Sequence, residues 1–305
     1  MRWRSSIITI FMFIASSCMS ASETQLTPDM LRTSAVVPTL TATLASMSIV
    51  TPFPTPSSTK TVQPSRTPTP RATERALPTV THFFIADFDT NGTGGLENFG
   101  RAAVEGVPGN SSTSFFEIVQ DPTKSGRGNV YQAIVTGPTE LSAHRPYPDV
   151  AFPRREGSFS TELDVYLDID PETRLDLYDH WLSVLSIFDY GAPQWHPSIM
   201  VSVVGSSGKF QLRTRSIDQA HEVTELTNLP GAPVLKLNTW IRIRVDVDVQ
   251  EKTVWTYQDG VLVSEGPYTA GTTWIEFAHW GLYGTIRKGV LLNDNITLGT
   301  FQSAP

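Results

Sequence analysis

Two segments alternate apolar and polar residues so strictly that only one local structure suits them. In Phe159-Ser-Thr-Glu-Leu-Asp-Val-Tyr-Leu-Asp-Ile169 the odd positions Phe159, Leu163, Val165, Leu167 and Ile169 are apolar. Their neighbours Ser160, Glu162, Asp164, Tyr166 and Asp168 are polar or amphipathic. Ile241 to Val249 repeats the pattern, setting Ile, Ile, Val, Val and Val against Arg242, Arg244, Asp246 and Asp248. Side chains along a strand point alternately to opposite faces, so this period buries one face and wets the other, the habit of antiparallel sheets. Further strands are expected at Val130–Val135, Trp181–Ile187, Ile199–Val204, Phe210–Thr214, Val254–Tyr257, Val261–Ser264 and Leu291–Leu298. Gln258-Asp259-Gly260 carries the residues of a tight hairpin turn. No amphipathic helix longer than about two turns is visible. The expected fold class is all-β, an antiparallel two-sheet jelly-roll sandwich over residues 82–305.

The residues before this domain have a different character. Arg2 and Arg4 precede an apolar run, Ile7 to Ile14, and then Ala15-Ser16-Ser17-Cys18. A basic start, a short apolar stretch and small residues make a signal for export. The segment resembles a bacterial lipoprotein signal, with Ala15 where Leu is usual. That resemblance implies cleavage and lipidation at Cys18, and hence an exported protein held on the cell surface by a lipid anchor. From residue 19 to 81, nine prolines sit among Thr and Ser, and Phe53 is the only aromatic before the strands begin. Such a segment buries too little apolar surface to offset its ordering entropy, and it is expected to be a disordered tether. Cys18 is the only cysteine, so no disulfide framework exists.

Charge narrows the partners. The net charge is −7, and residues 1–80 hold seven bases and three acids, leaving 16 bases against 27 acids in the remainder. A domain at −11 repels polyanions, so nucleic acid is excluded as the expected partner.

The segments Leu237-Asn-Thr-Trp240-Ile-Arg-Ile-Arg, Val254-Trp-Thr-Tyr-Gln-Asp259-Gly260-Val-Leu-Val263, Gly281-Leu-Tyr283 and Leu292-Asn-Asp294-Asn-Ile296 resemble the concanavalin A-like jelly roll. Their order is most similar to its polysaccharide-lyase-like branch, which includes alginate and heparin lyases. That resemblance implies a saccharide-facing sheet and, in alginate lyases, Arg-x-Glu, Gln-x-His and Tyr-x-Lys-x-Gly-x-Tyr strands. Here His144-Arg145-Pro146-Tyr147 is nearest to the first, and Phe277-Ala-His279-Trp-Gly281-Leu-Tyr283 fits the third with His279 replacing Lys. No histidine occupies the second strand, Ser183 to Tyr190, although His196 stands close by. A lyase would therefore use Arg145, His196, His279 and Tyr283, with a base for the sugar C–H proton and an acid for the leaving oxygen. Glu162-Leu-Asp164-Val-Tyr166 resembles a glucanase motif with Tyr166 in the acid/base position, where retaining hydrolysis needs a second carboxyl about 5 Å from the first. A solvated strand face is the expected role of these residues.

Sugar stacking needs no catalytic set, because pyranose C–H faces pack on aromatic rings. Trp255 and Tyr257 share one strand face, and Trp181, Trp195, Trp274, Trp280 and Tyr283 are further candidates for the same carbohydrate-binding groove. The chemistry requires no cofactor. A structural calcium is nonetheless suggested by Asp87-Phe-Asp89-Thr-Asn91-Gly92, the first half of an EF-hand-like loop, with Asp294 as a further ligand. The leading reading is a tethered glycan-binding jelly roll without hydrolytic activity. The alternative is a secreted polysaccharide lyase with a variant site.

Overall fold

A computed structural model describes residues 76–89, 110–139, 142–188 and 197–303. Fifteen strands account for most of them, and among the described residues there is no helix. In chain order, the first five are β1 (Thr81–Ala86), β2 (Ser114–Gln120), β3 (Asn129–Val135), β4 (Asp149–Glu156) and β5 (Ser158–Ile169). Next come β6 (Leu182–Phe188), β7 (Pro197–Ser206), β8 (Lys209–Ile217), β9 (Val223–Glu225) and β10 (Thr227–Asn228). The last are β11 (Ile241–Asp248), β12 (Thr253–Gln258), β13 (Val261–Pro267), β14 (Trp274–Gly284) and β15 (Gly289–Phe301).

They form two antiparallel sheets packed as a sandwich. The nine-stranded sheet runs β10-β13-β12-β11-β5-β15-β3-β2, with β1 pairing the second half of β15. The six-stranded sheet runs β4-β14-β6-β7-β8-β9. The expected fold class is therefore present. Both alternating segments lie side by side as β5 and β11, with Ile243 opposite Leu163 and Val245 opposite Thr161. Their apolar faces, Leu163, Val165, Leu167, Ile243, Val245 and Val247, join one core with Val201, Val203 and Leu212 of the six-stranded sheet. Asp259 and Gly260 both take positive φ, 52° and 78°, the mirror-image turn that matches strand twist and joins β12 to β13.

Two bulges shape the functional surfaces. In β14 the register slips between Trp280 and Tyr283 at Gly281, whose φ is 106°. A Cβ there would lie 2.8 Å from the Asn293 side chain, so only glycine lets the two sheets approach at this point. In β15 the register slips between Asp294 and Thr297, with Asn295 at φ 50°, and this turns Asp294 and Asn295 toward Asp164.

Candidate functional site

Strand alternation sorts the candidate residues onto three surfaces. In β14, Ala278, Trp280 and Leu282 point into the core, while Phe277, His279 and Tyr283 point to the outer face of the six-stranded sheet. In β12, Val254 enters the core and Thr256 meets Thr214 across it at 2.7 Å, which leaves Trp255 and Tyr257 on the outer face of the nine-stranded sheet. The expectation of one shared aromatic groove is thus corrected. Trp280 is fully buried, donates its indole N–H to Thr161 Oγ1 at 3.0 Å and stacks on Phe84 with centroids 5.4 Å apart. It is a core residue. Trp255 and Tyr257 belong to the opposite sheet from Tyr283 and cannot share a ligand with it. Trp195 and His196 lie outside the described residues, as does Cys18.

On the outer face of the six-stranded sheet a compact cluster does form. Segment 142–148 crosses β14, tied by the His144–Gly284 backbone pair and by Trp280 N–H donating to Pro148 O at 3.0 Å. It lays the Tyr147 ring over the His279 ring with centroids 4.0 Å apart, and sets the Arg145 guanidinium 5.5 Å from the centre of the Tyr283 ring. His279 and Tyr283 are themselves 5.5 Å apart, edge to face. Three of the four lyase candidates are therefore neighbours. His279 is 1% exposed, and among the described residues neither ring nitrogen has a hydrogen-bond partner. Burial, reinforced by the nearby Arg145 charge, holds its pKa down to about 3. The imidazole is neutral at physiological pH and is covered by Tyr147.

Tyr283 is only half buried, and Trp181 meets it edge-on at 4.5 Å. The sequence counts Trp181 among the groove candidates, and the structure brings it together with Tyr283. Register accounts for the meeting: Tyr283 pairs with Ser183, two residues beyond Trp181. Across the same face the register continues from His279 to Ser186, Met200, Arg215 and Glu225 on successive strands.

The opposite surface is an ion-pair network. Arg242 grips Asp164 with two bonds, at 2.8 and 3.1 Å, while Arg127 bridges Asp164 at 2.6 Å and Asp294 at 3.0 Å. Arg244 joins Glu162 at 3.0 Å to Asp246 at 2.7 Å. Burial pushes the Asp164 carboxyl up, but hydrogen bonds from Arg242, Asn295 and Arg127 outweigh it and hold its pKa below the ordinary value. Glu162 and Asp164 are thus not a solvated strand face, since the Asp164 side chain is 3% exposed and saturated by guanidinium groups. The reason is β11, which aligns Arg242 opposite Asp164 and Arg244 opposite Glu162. Tyr166, in the acid/base position, packs against Trp240 instead. A cleft of about 130 Å³ beside this network is lined by Leu77, Glu162, Arg242, Arg244, Tyr257 and Gly260.

The same network bears on the calcium expectation. Asp294 is paired with Arg127, and Asp89 accepts the Asn129 N–H at 2.6 Å, while the loop after Asp89 lies outside the described residues. Among the described residues, no group of three or more His, Cys, Asp or Glu side chains is gathered for a metal ion.

No family model and no curated protein matches this chain. Among solved structures, an alginate lyase from Pseudomonas aeruginosa is similar at 10% identity and TM-score 0.44, covering 63% of this chain and 87% of its own. The binding domain of botulinum neurotoxin serotype G is similar at 10% identity and TM-score 0.42, covering 73% of this chain. This chain spans about half of that domain, 49%. An alginate lyase of polysaccharide lyase family 7 is similar at 14% identity and TM-score 0.41, covering 62% of this chain and 82% of that one. Likenesses of this depth assign no ligand and no activity.

Proposed function

We propose that this protein binds a neutral or weakly charged glycan on the outer face of its six-stranded sheet and does not cleave it. The observation that carries the reading is the Trp181–Tyr283 pair, two half-buried rings held edge to face at 4.5 Å beside the Arg145 guanidinium. Rings fixed by packing present stacking surface at low entropic cost, and adjacent polar groups orient hydroxyls. Glu162 and Asp164 are already committed to arginines, which supports the absence of retaining hydrolysis. The Cys18 signal supports display of this domain at a cell surface through a lipid anchor, with residues 19–81 as the spacer. A glycan-array screen of the full chain, run beside an ultraviolet assay for unsaturated uronate products, tests the reading. Binding without product supports it.

A second reading follows from the contact of Arg145, His279 and Tyr283, the groups a β-eliminating lyase would use. In that chemistry the Tyr283 hydroxyl would protonate the leaving oxygen and Arg145 would face the uronate carboxylate. Burial of a neutral His279 beneath Tyr147 speaks against its serving as the base. Uronate unsaturation that disappears in Tyr283→Phe would establish the lyase.

A further inference from the structure

Three strands away from β14 on the same face, Arg215 is a buried cation with no ion-pair partner among the described residues. Its side chain is on the outer face of β8, because Phe210 and Leu212 fill the core from that strand. Arg215 is 8% exposed. The ion pairs among the described residues use Arg127, Arg154, Arg242 and Arg244, and none reaches Arg215 or its neighbour Arg213. Arg215 donates only to weak or distant acceptors: Leu177 O at 3.3 Å, Ser202 Oγ at 3.3 Å and the Met200 sulfur at 2.7 Å. Among the described residues its Nε–H has no partner, nor does the buried Nε of Arg213 two residues away on the same face. A guanidinium offers five donors in a planar fork suited to oxyanions, and burying such a charge unpaired is costly. Burial holds the Arg215 pKa below the usual arginine range, only partly offset by Tyr178 and Glu225. Glu225, the register partner of Arg215 on β9, accepts the Tyr178 hydroxyl at 3.1 Å instead of pairing with the guanidinium. Tyr178 is 72% exposed, so the Leu177–Tyr178 segment that roofs Arg215 is itself a surface element.

Resting on the glycan reading above, we propose that Arg215, with Arg213 beside it, seats one oxyanion substituent of the bound saccharide, a uronate carboxylate or a sulfate ester. The seat lies about 14 Å from His279 along the same row, three interstrand spacings across the sheet. One end of the ligand then stacks on Trp181 and Tyr283 while an anionic group further along meets Arg215. The acidic balance of the domain excludes a heavily charged polymer but tolerates a single pairing of this kind.

The test is an NMR titration of the full-length protein, reading the arginine Nε–Hε resonances and the Trp181 indole. Sodium sulfate, sodium D-glucuronate and D-glucose are added at ionic strength matched with sodium chloride. The expected result is a saturable shift at Arg215 with sulfate or glucuronate and none with glucose. Sulfate alone would assign the seat to a sulfate ester, and glucuronate alone to a carboxylate. Arg215→Gln should lower affinity for an oligosaccharide bearing the matching group about tenfold or more, the scale of a lost charged hydrogen bond, and leave a neutral oligosaccharide unaffected. If Arg215→Gln fails to fold, the wild-type titration decides alone. Shifts at Arg215 that merely track sodium chloride would overturn the seat, and a Trp181 response to neutral oligosaccharides would then leave the glycan reading standing. An anion response at Arg215 with a silent Trp181 would keep the seat and discard that reading.

Discussion

Replacing Trp280 separates folding from binding on this molecule. Its indole is fully buried between the sheets, stacked on Phe84 at an interplanar angle of 6°, with its N–H donated to Thr161 Oγ1. Truncation to alanine removes that packing and leaves a cavity, at a cost of about 3–5 kcal/mol. Trp280→Phe keeps much of the apolar contact and loses one hydrogen bond. The Thr161 hydroxyl still donates to Thr297 O at 2.8 Å, so no buried donor is stranded. The phenylalanine variant should therefore cost about 1–2 kcal/mol. At roughly 2–4 °C per kcal/mol for a domain this size, Trp280→Ala should melt about 10 °C lower. Urea denaturation of both variants, with glycan affinity measured below the transition, reads the two effects apart. Stability should fall while the affinity of the folded fraction stays within twofold. Unchanged urea midpoints with lost binding would refute the placement of Trp280 in the core.

Three further outcomes are expected. The Asp121 carboxylate receives hydroxyl and backbone hydrogen bonds from Thr123 and Ser125, which outweigh its burial and bring its pKa from 3.8 down to about 2. A depressed pKa stabilises above the unfolded value, so Asp121→Asn should cost about 1–2 kcal/mol at pH 7, after allowance for solvent screening. Denaturation curves should show that gap closing as pH falls from 3.8 toward about 2, and a gap independent of pH would contradict this. Arg127→Met should destabilise by about 3 kcal/mol at neutral pH, because it strips a cation from the buried carboxylates of Asp164 and Asp294. Its urea midpoint should approach wild type as those carboxylates protonate in acid. Cys18→Ala should move the protein from membrane to soluble fractions in an exporting host, and equal partitioning would dismiss the lipid anchor.

The sandwich was legible because alternation in β5 and β11 is nearly perfect and the Asp259-Gly260 turn has unmistakable chemistry. Strands β1, β2, β4, β9 and β10 are not marked by the pattern, and β14 is reached only through the family resemblance. Thr81–Ala86 and Ser114–Gln120 lack a clean period of two, and Asp149–Glu156 carries a proline and four charges that suit only an edge strand. Faces within a strand were readable, but which sheet each strand joins was not. That assignment depends on long-range pairing, and it is what split Trp255 and Tyr257 from Tyr283. The contact of Arg145, His279 and Tyr283 was legible only through family resemblance. Trp181 is a groove candidate in the sequence, but its partnership with Tyr283 and the place of Arg215 need register across β6, β7 and β8, information that a single sequence does not carry.

The proposed saccharide site on the six-stranded sheet rests on Trp181 and Tyr283. Calorimetric titration of an array-identified oligosaccharide into wild type, Trp181→Ala and Trp255→Ala tests it most directly. Loss of one well-packed aromatic contact should weaken binding to Trp181→Ala by about 1–3 kcal/mol, while Trp255→Ala, on the opposite sheet, should bind as wild type does. Undiminished affinity in Trp181→Ala together with a loss in Trp255→Ala would place the site on the nine-stranded sheet instead.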